Sequence, residues 1–112
     1  MPSQGDIVLV PVPFTDLSSN RKRPVIVIST DQFNQSTRDM VMVAMTSNLT
    51  PSPYSFVINQ TDLASRKLNH PGRVRVDKVF TLAQSIAIKV FGRVADPILD
   101  RIRQLLIDLC RK

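Results

Sequence analysis

The sequence predicts a mainly β domain closed by a single C-terminal helix, its strands forming a small, strongly bent, barrel-like sheet. Three observations carry this. Short apolar runs rich in β-branched residues recur through most of the chain, turn-forming residues separate them, and only the last stretch keeps a helical period. At 112 residues the chain makes one domain, 1–112, with one core.

The elements follow in order. Gly5 is a turn residue ahead of Asp6-Ile7-Val8-Leu9-Val10, and Pro11 and Pro13 then withhold ladder donors and end this first strand. Phe14 to Arg23 is a polar loop longer than a hairpin needs, of the kind that acts as a lid. Pro24 fixes its own φ and pushes Arg23 toward an extended conformation, so the loop ends there and a strand, Val25 to Ser29, begins. Its branched apolar side chains suit burial on both faces. Thr30 to Thr37 is a connection with capping residues for one helical turn, and Met40 to Met45 is a third buried strand. Thr46-Ser47-Asn48-Leu49-Thr50-Pro51 is its hydroxyl-rich exit. Arg23 and Thr46 meet only if these two strands are antiparallel neighbours or loop back, which the sequence leaves open.

Tyr54 to Ile58 reads as a fourth strand, and Asn59 to Pro71 as an irregular segment with a helical turn capped by Thr61 or Asp62. In Gly72 to Phe80 the charged residues 73, 75 and 77 alternate with Val74 and Val76, so the charges share one strand face. Ile86 to Phe91 is a further extended segment. The helix opens with Asp96 as N-cap and Pro97 at its first position. Ile98, Leu99, Ile102, Leu105, Leu106 and Leu109 form one apolar stripe for docking on the sheet, with Arg101, Arg103 and Gln104 on the polar side.

Composition narrows the function. Lys and Arg number 15 against 9 acids, a net charge of +6, which favours an anionic partner such as nucleic acid. Every acid is Asp, so any carboxylate base comes from a short set. No run approaches the ~20 apolar residues of a membrane helix, and no secretory signal opens the chain, so a cytoplasmic protein without membrane contact is expected. The single cysteine, Cys110, has no intrachain disulfide partner, and with one His no all-Cys/His zinc site is available. Neither a glycine-rich phosphate loop nor carboxylates at metal-ligand spacing is present, and no cofactor or metal is expected.

The face made by Arg73, Arg75 and Asp77 is the strongest local constellation. Asp77, two residues from Arg75 on one face, can accept the guanidinium's bonds, which holds the fork in place and keeps the acid ionised. A salt-bridged, solvated strand face produces the same pattern. Arg23 is anchored by Pro24, and Thr46 presents a hydroxyl at a strand end, although one is equally a surface cation and the other a hydroxyl bonded to its own backbone. His70 is the only imidazole and sits in a Pro- and Gly-bearing loop.

Gly5-Asp6-Ile7-Val8-Leu9-Val10, Lys22-Arg23-Pro24-Val25-Ile26-Val27-Ile28, Phe33-Asn34 with Thr37-Arg38, Val43-Ala44-Met45-Thr46-Ser47 and Val74-Arg75-Val76-Asp77-Lys78-Val79-Phe80-Thr81-Leu82 together resemble the MazF/PemK (Kid) toxin endoribonucleases in order and spacing. The resemblance implies an SH3-like barrel with a C-terminal helix, a homodimer, and metal-independent cleavage of single-stranded RNA, inhibited by a cognate antitoxin. Catalytic roles would fall on Arg23 and Thr46 and, as in the Kid-like branch, on Arg75 and Asp77. That branch also uses a His in the first long loop, but Thr15 to Lys22 contains none. Arg21, Lys22, Ser47, Asn48 and Arg73 would contact RNA.

RNA cleaves itself once its 2′-OH is deprotonated and attacks the adjacent phosphorus, so the protein needs only a base and cations around the developing charge, with a proton for the leaving oxygen. Asp77 suits the base, Arg23 and Arg75 the charge, Thr46 a phosphate donor. Two other readings compete. A non-catalytic toxin of the same fold, like the CcdB-type gyrase inhibitors, would use the basic face to hold a partner. A basic SH3-like adaptor for peptides is disfavoured by an aromatic content of 5% and no Trp.

Overall fold

The computed structural model describes residues 2–11, 22–65, 68 and 70–112. Residues 14–21 of the loop expected to act as a lid, Arg21 among them, lie outside the described residues. Seven strands form one antiparallel sheet: β1 (Asp6–Val10), β2 (Arg23–Val27), β3 (Asp39–Thr46), β4 (Ser55–Ile58), β5 (Leu63–Ser65), β6 (Gly72–Ala83) and β7 (Lys89–Val94). Helix α1 (Asp31–Ser36) joins β2 to β3, and α2 (Asp96–Cys110) closes the chain. Their spatial order is β4-β6-β3-β2-β1-β7-β5, and the sheet curls into the expected half-barrel.

The turn into β1 uses Gly5 at φ +93°, where a side chain would be strained and its Cβ would stand 3.2 Å from Leu99 Cδ1. Thr30 caps α1 by accepting the Phe33 N–H, 3.1 Å away. Asn34, buried in that short helix, accepts from the Ser29 hydroxyl at 2.5 Å and ties α1 to the end of β2.

Two apolar clusters lie on opposite faces of the sheet. Ile7, Ile26, Val43, Met45, Val74 and Val76 meet Ile98, Leu99 and Ile102 of α2 on one face. Val8, Val10, Val25, Val27, Met40 and Met42 pack on the other, against Phe80, Leu82, Ile86 and Ala87. The strand alternation therefore buries both faces of β1, β2 and β3, as their unbroken apolar runs require.

Two register breaks bend this sheet. Val43 pairs with Val79 but Ala44 pairs with Arg75, so Val76, Asp77 and Lys78 of β6 have no partner on β3. An odd insertion swaps faces. Val74 before it and Val76 at its start belong to the helix-covered cluster, whereas Phe80 and Leu82 beyond it, also even-numbered, pack on the opposite one. On the other side, Ile7 pairs with Gly92 and Val8 with Val90, which leaves Phe91 as the extra residue of a β-bulge in β7.

Several boundaries differ from those expected. β2 starts at Arg23 rather than Val25, because Arg23 already pairs with Val10 of β1. Gln84–Ile86 forms a 3-10 turn, and the last strand runs from Lys89 through Gly92 to Val94, since β1 offers a partner along that length. Asn59, not Thr61 or Asp62, caps the turn at Gln60–Asp62; its side chain accepts from Thr61 N while Asp62 Oδ2 accepts from Asn59 N. Asp96 is not the cap of α2. Ala95 takes that position because its N–H is bound to Asp62 O at 2.8 Å, which leaves Asp96 inside the first turn, a favourable place for an anion. Leu109 is 37% exposed because the stripe outruns the sheet, its burial ending with the half-covered Leu105 and Leu106.

Ile102 is fully buried between α2 and the sheet, while Ile107 on the same helix is 53% exposed. Ile102→Ala is expected to lower unfolding free energy by about 2–5 kcal/mol, and Ile107→Ala to change it by about 0.5 kcal/mol or less, measured by urea denaturation.

Candidate active site

The strands β2 and β3 are antiparallel neighbours, with Val25 opposite Ala44. Carried two residues further along each strand, that register sets Arg23 against Thr46. Thr46 in turn pairs with Arg73 of β6, and Ala44 with Arg75. Directly opposed residues of an antiparallel sheet point to the same face, so Arg23, Thr46, Arg73 and Arg75 share one face at the ends of three strands. Pro24, with no N–H to give, stands where the β2–β3 ladder stops.

Each side chain is held differently. The Thr46 hydroxyl accepts the N–H of Asn48 at 3.1 Å, and the Asn48 side-chain oxygen accepts that of Thr50 at 3.0 Å. These turns aim the exit segment and leave the Thr46 proton free to be donated. Arg75 and Asp77 form a bidentate pair, Nε to Oδ1 at 2.9 Å and Nη2 to Oδ2 at 2.7 Å. Asp77 lies in the segment of β6 that is unpaired with β3, two residues along the strand from Arg75. The Arg75 hydrogen bonds hold the Asp77 carboxyl below its usual range, and the same bonds raise the Arg75 guanidinium above its own.

Arg73 is placed differently from the open charged face its spacing suggests. It is 8% exposed, and its guanidinium donates to Ser55 Oγ at 2.9 Å and to Leu49 O at 3.0 Å. β4 lies beside β6 at this point, Ser55 opposite Arg75, and covers it. Both contacts are neutral acceptors, so a buried cation stands here with no carboxylate beside it among the described residues. The Nε atoms of Arg73 and Arg23 are buried and bonded to no described residue. Thr46, Asn48, Arg73 and Arg75 line one polar cavity of about 200 Å³ together with Thr50, Pro51 and Ser52.

The remaining expected contacts spread out. Lys22 is exposed just ahead of β2, and Arg21 lies outside the described residues. Ser47 borders a second, apolar cavity, shared with Thr46 and with His70. Sequence reasoning missed the residues that hold Arg73, Ser55 and the Leu49 carbonyl, because a strand-end serine and a loop carbonyl carry no signal. Among the described residues no group of three His, Cys, Asp or Glu is placed to hold a metal ion. No described helix is long and apolar enough to cross a membrane.

Residues 3–110 match the model of the PemK-like, MazF-like toxins of type II toxin-antitoxin systems, and the chain belongs to that family. The fold is similar to an endoribonuclease in complex with its cognate antitoxin from a mycobacterial species, at 21% identity and TM-score 0.75, over 96% of this chain and 93% of that one. It is also similar to MazF of a MazE-MazF complex from Deinococcus radiodurans (23%, TM-score 0.72, 96% and 93% covered). The Mycobacterium tuberculosis toxin MazF-mt6 shares the fold at 12% identity (TM-score 0.73, 92% and 93% covered). A comparison with curated protein sequences finds no match.

With side chains 28% and 29% exposed, Arg75 and Asp77 form a surface pair, worth about 0.2–1 kcal/mol. Because the folded pKa of Asp77 is depressed, this stabilisation is complete above the carboxyl's unfolded pKa and is lost as pH falls through the lower folded value. Asp77→Asn is therefore expected to destabilise by about 0.2–1 kcal/mol at neutral pH. The difference from the unsubstituted protein should vanish in strong acid, measured by urea denaturation at several pH values.

Proposed function

We propose that this toxin is an endoribonuclease that cleaves single-stranded RNA, with Arg23, Thr46, Arg75 and Asp77 as its catalytic residues. The observation that carries the reading is the polar cavity lined by Thr46, Asn48, Arg73 and Arg75, which sets two guanidinium groups beside a strand-end hydroxyl. Guanidinium groups and a hydroxyl are donors, and a phosphodiester supplies several acceptors at once.

In this reading Asp77 accepts the proton of the ribose 2′-OH as that oxygen bonds to phosphorus. The P–O5′ bond then breaks, leaving a 2′,3′-cyclic phosphate and a 5′-OH. Arg23 and Arg75 hold the charge that builds on the nonbridging oxygens, and the Thr46 hydroxyl donates to one of them. Arg75 is unsuited to protonate the leaving oxygen, since Asp77 raises its pKa; at this solvent-facing site water supplies that proton. The depressed pKa of Asp77 makes it a weaker base that stays ionised to lower pH than an ordinary carboxylate. Ser47, Asn48, Arg73, Arg21 and Lys22 bind the RNA, the last two as simple phosphate attractors.

A second chain completes the assembly. We take the toxin to be a homodimer, since Val79, Ile88 and Val90 expose 43%, 46% and 45% of their surface and one helix covers only one face. The cognate antitoxin presents an acidic segment that competes with RNA for the cation row. Sedimentation at micromolar concentration is expected to show a dimer.

Single-turnover cleavage against pH tests the chemistry. Arg23→Ala should lower the saturating rate ~100-fold or more, comparable to losing one preorganised donor, and Thr46→Ala should lower it less. Lys22→Ala should weaken binding and its salt dependence with little change in that rate. The unsubstituted enzyme should keep its rate down to a pH below the ordinary carboxylate range, and Asp77→Asn should lose that acid limb. Full activity in EDTA is expected. A protein that binds RNA without cutting it, with equal binding-only effects from all the variants, would instead be a non-catalytic toxin of the CcdB type.

A further inference from the structure

A second cavity, of about 240 Å³, opens on the other side of the same strand ends and is almost wholly apolar. Strand alternation separates the two sides: Arg23 and Thr46 face the cation row, whereas Pro24 and Met45, one residue away on each strand, line this cavity. Thr46 borders both. Resting on the ribonuclease reading above, we propose that this apolar cavity is the base-specificity pocket, taking the nucleobase next to the phosphate that Thr46 contacts.

Three features support a base as the occupant. The wall includes Phe91, the extra residue of the β7 bulge, and a bulge is a device that re-aims a side chain beside a functional site. Bases of single strands are read by stacking on aromatic side chains and by hydrogen bonds to their edges, and here the Ser47 hydroxyl and the His70 imidazole are the polar side chains at the rim besides Thr46. The volume is below the ~300–1,000 Å³ of pockets for drug-sized ligands and suits one ring system. A base in it carries a ribose and phosphate that need cross only the end of β3 to reach the arginines. Gly72 keeps the floor open, since a Cβ there would lie 3.2 Å from Met45 Cε.

The pocket makes Phe91, Leu68, His70 and Ser47 determinants of which sequence is cut, separately from the residues that cut it. The test uses the whole protein and a randomised single-stranded RNA pool, followed by an oligonucleotide carrying the preferred site and its twin with an abasic ribose at the preferred position. Unsubstituted protein is expected to prefer one base beside the cut and to lose about 10- to 100-fold in kcat/KM on the abasic twin, the worth of one stacked base. In Phe91→Leu, and more so in Leu68→Trp, which fills the cavity, the ratio between the two substrates should fall toward one. His70→Ala alters an exposed side chain, so it serves even where Leu68→Trp fails to fold, and it should change the base preferred.

Cleavage of nothing in the pool would overturn the ribonuclease reading and this one with it. Cleavage with base preference and abasic penalty unchanged in every folded variant would overturn the pocket alone. Variants that keep the preference but bind an acidic antitoxin peptide more weakly would assign the cavity to a protein partner and overturn the proposal.

Discussion

The three unpaired residues of β6 are the constraint on which the rest of this molecule depends. A strand of 12 residues that kept one register would place all its even residues on one face. Its Val74 and Val76 would then compete with Phe80 and Leu82 for a single core. The break between Arg75 and Val79 lets the first pair pack under α2 and the second pack on the opposite cluster. Asp77 lies within this unpaired segment and holds Arg75, two residues before it, through two hydrogen bonds.

Electrostatics at the strand ends is organised against the interest of stability. Arg73 is buried with two neutral acceptors and no described counter-ion, and Arg23 has an Nε bonded to no described residue. Burying a cation without a carboxylate costs free energy, and a protein selected only for stability would replace it by an apolar side chain. An anionic ligand reverses that sign. Among the described residues Asp77 is the carboxylate at the site, and it pairs with Arg75.

Much of this was readable in the residues. The apolar runs located β1, β2 and β3, and Pro24 marked where Arg23 becomes extended, because proline geometry acts on its immediate neighbour. The Arg75-Asp77 pair followed from period two. Arg73 did not, although it has the same spacing, because its burial depends on β4 lying beside β6 and on the Leu49 carbonyl, contacts 18 and 24 residues away. Asp96 looked like a cap and is not one, since the distant Asp62 carbonyl binds the Ala95 N–H and moves the helix start by one residue.

By itself the sequence determined the local elements, the sign of the charge, and the residue types able to act on a phosphodiester, all of which depend on neighbours a few positions apart. Tertiary structure alone decided the juxtapositions. The antiparallel β2–β3 register put Arg23 and Thr46 on one face at neighbouring strand ends, the β3–β6 pairing set Arg73 opposite Thr46, and the bulge at Phe91 left an aromatic ring on the wall of an apolar cavity. Register is set by the summed burial of both faces and by where odd insertions fall, and neither is written in any single stretch of chain.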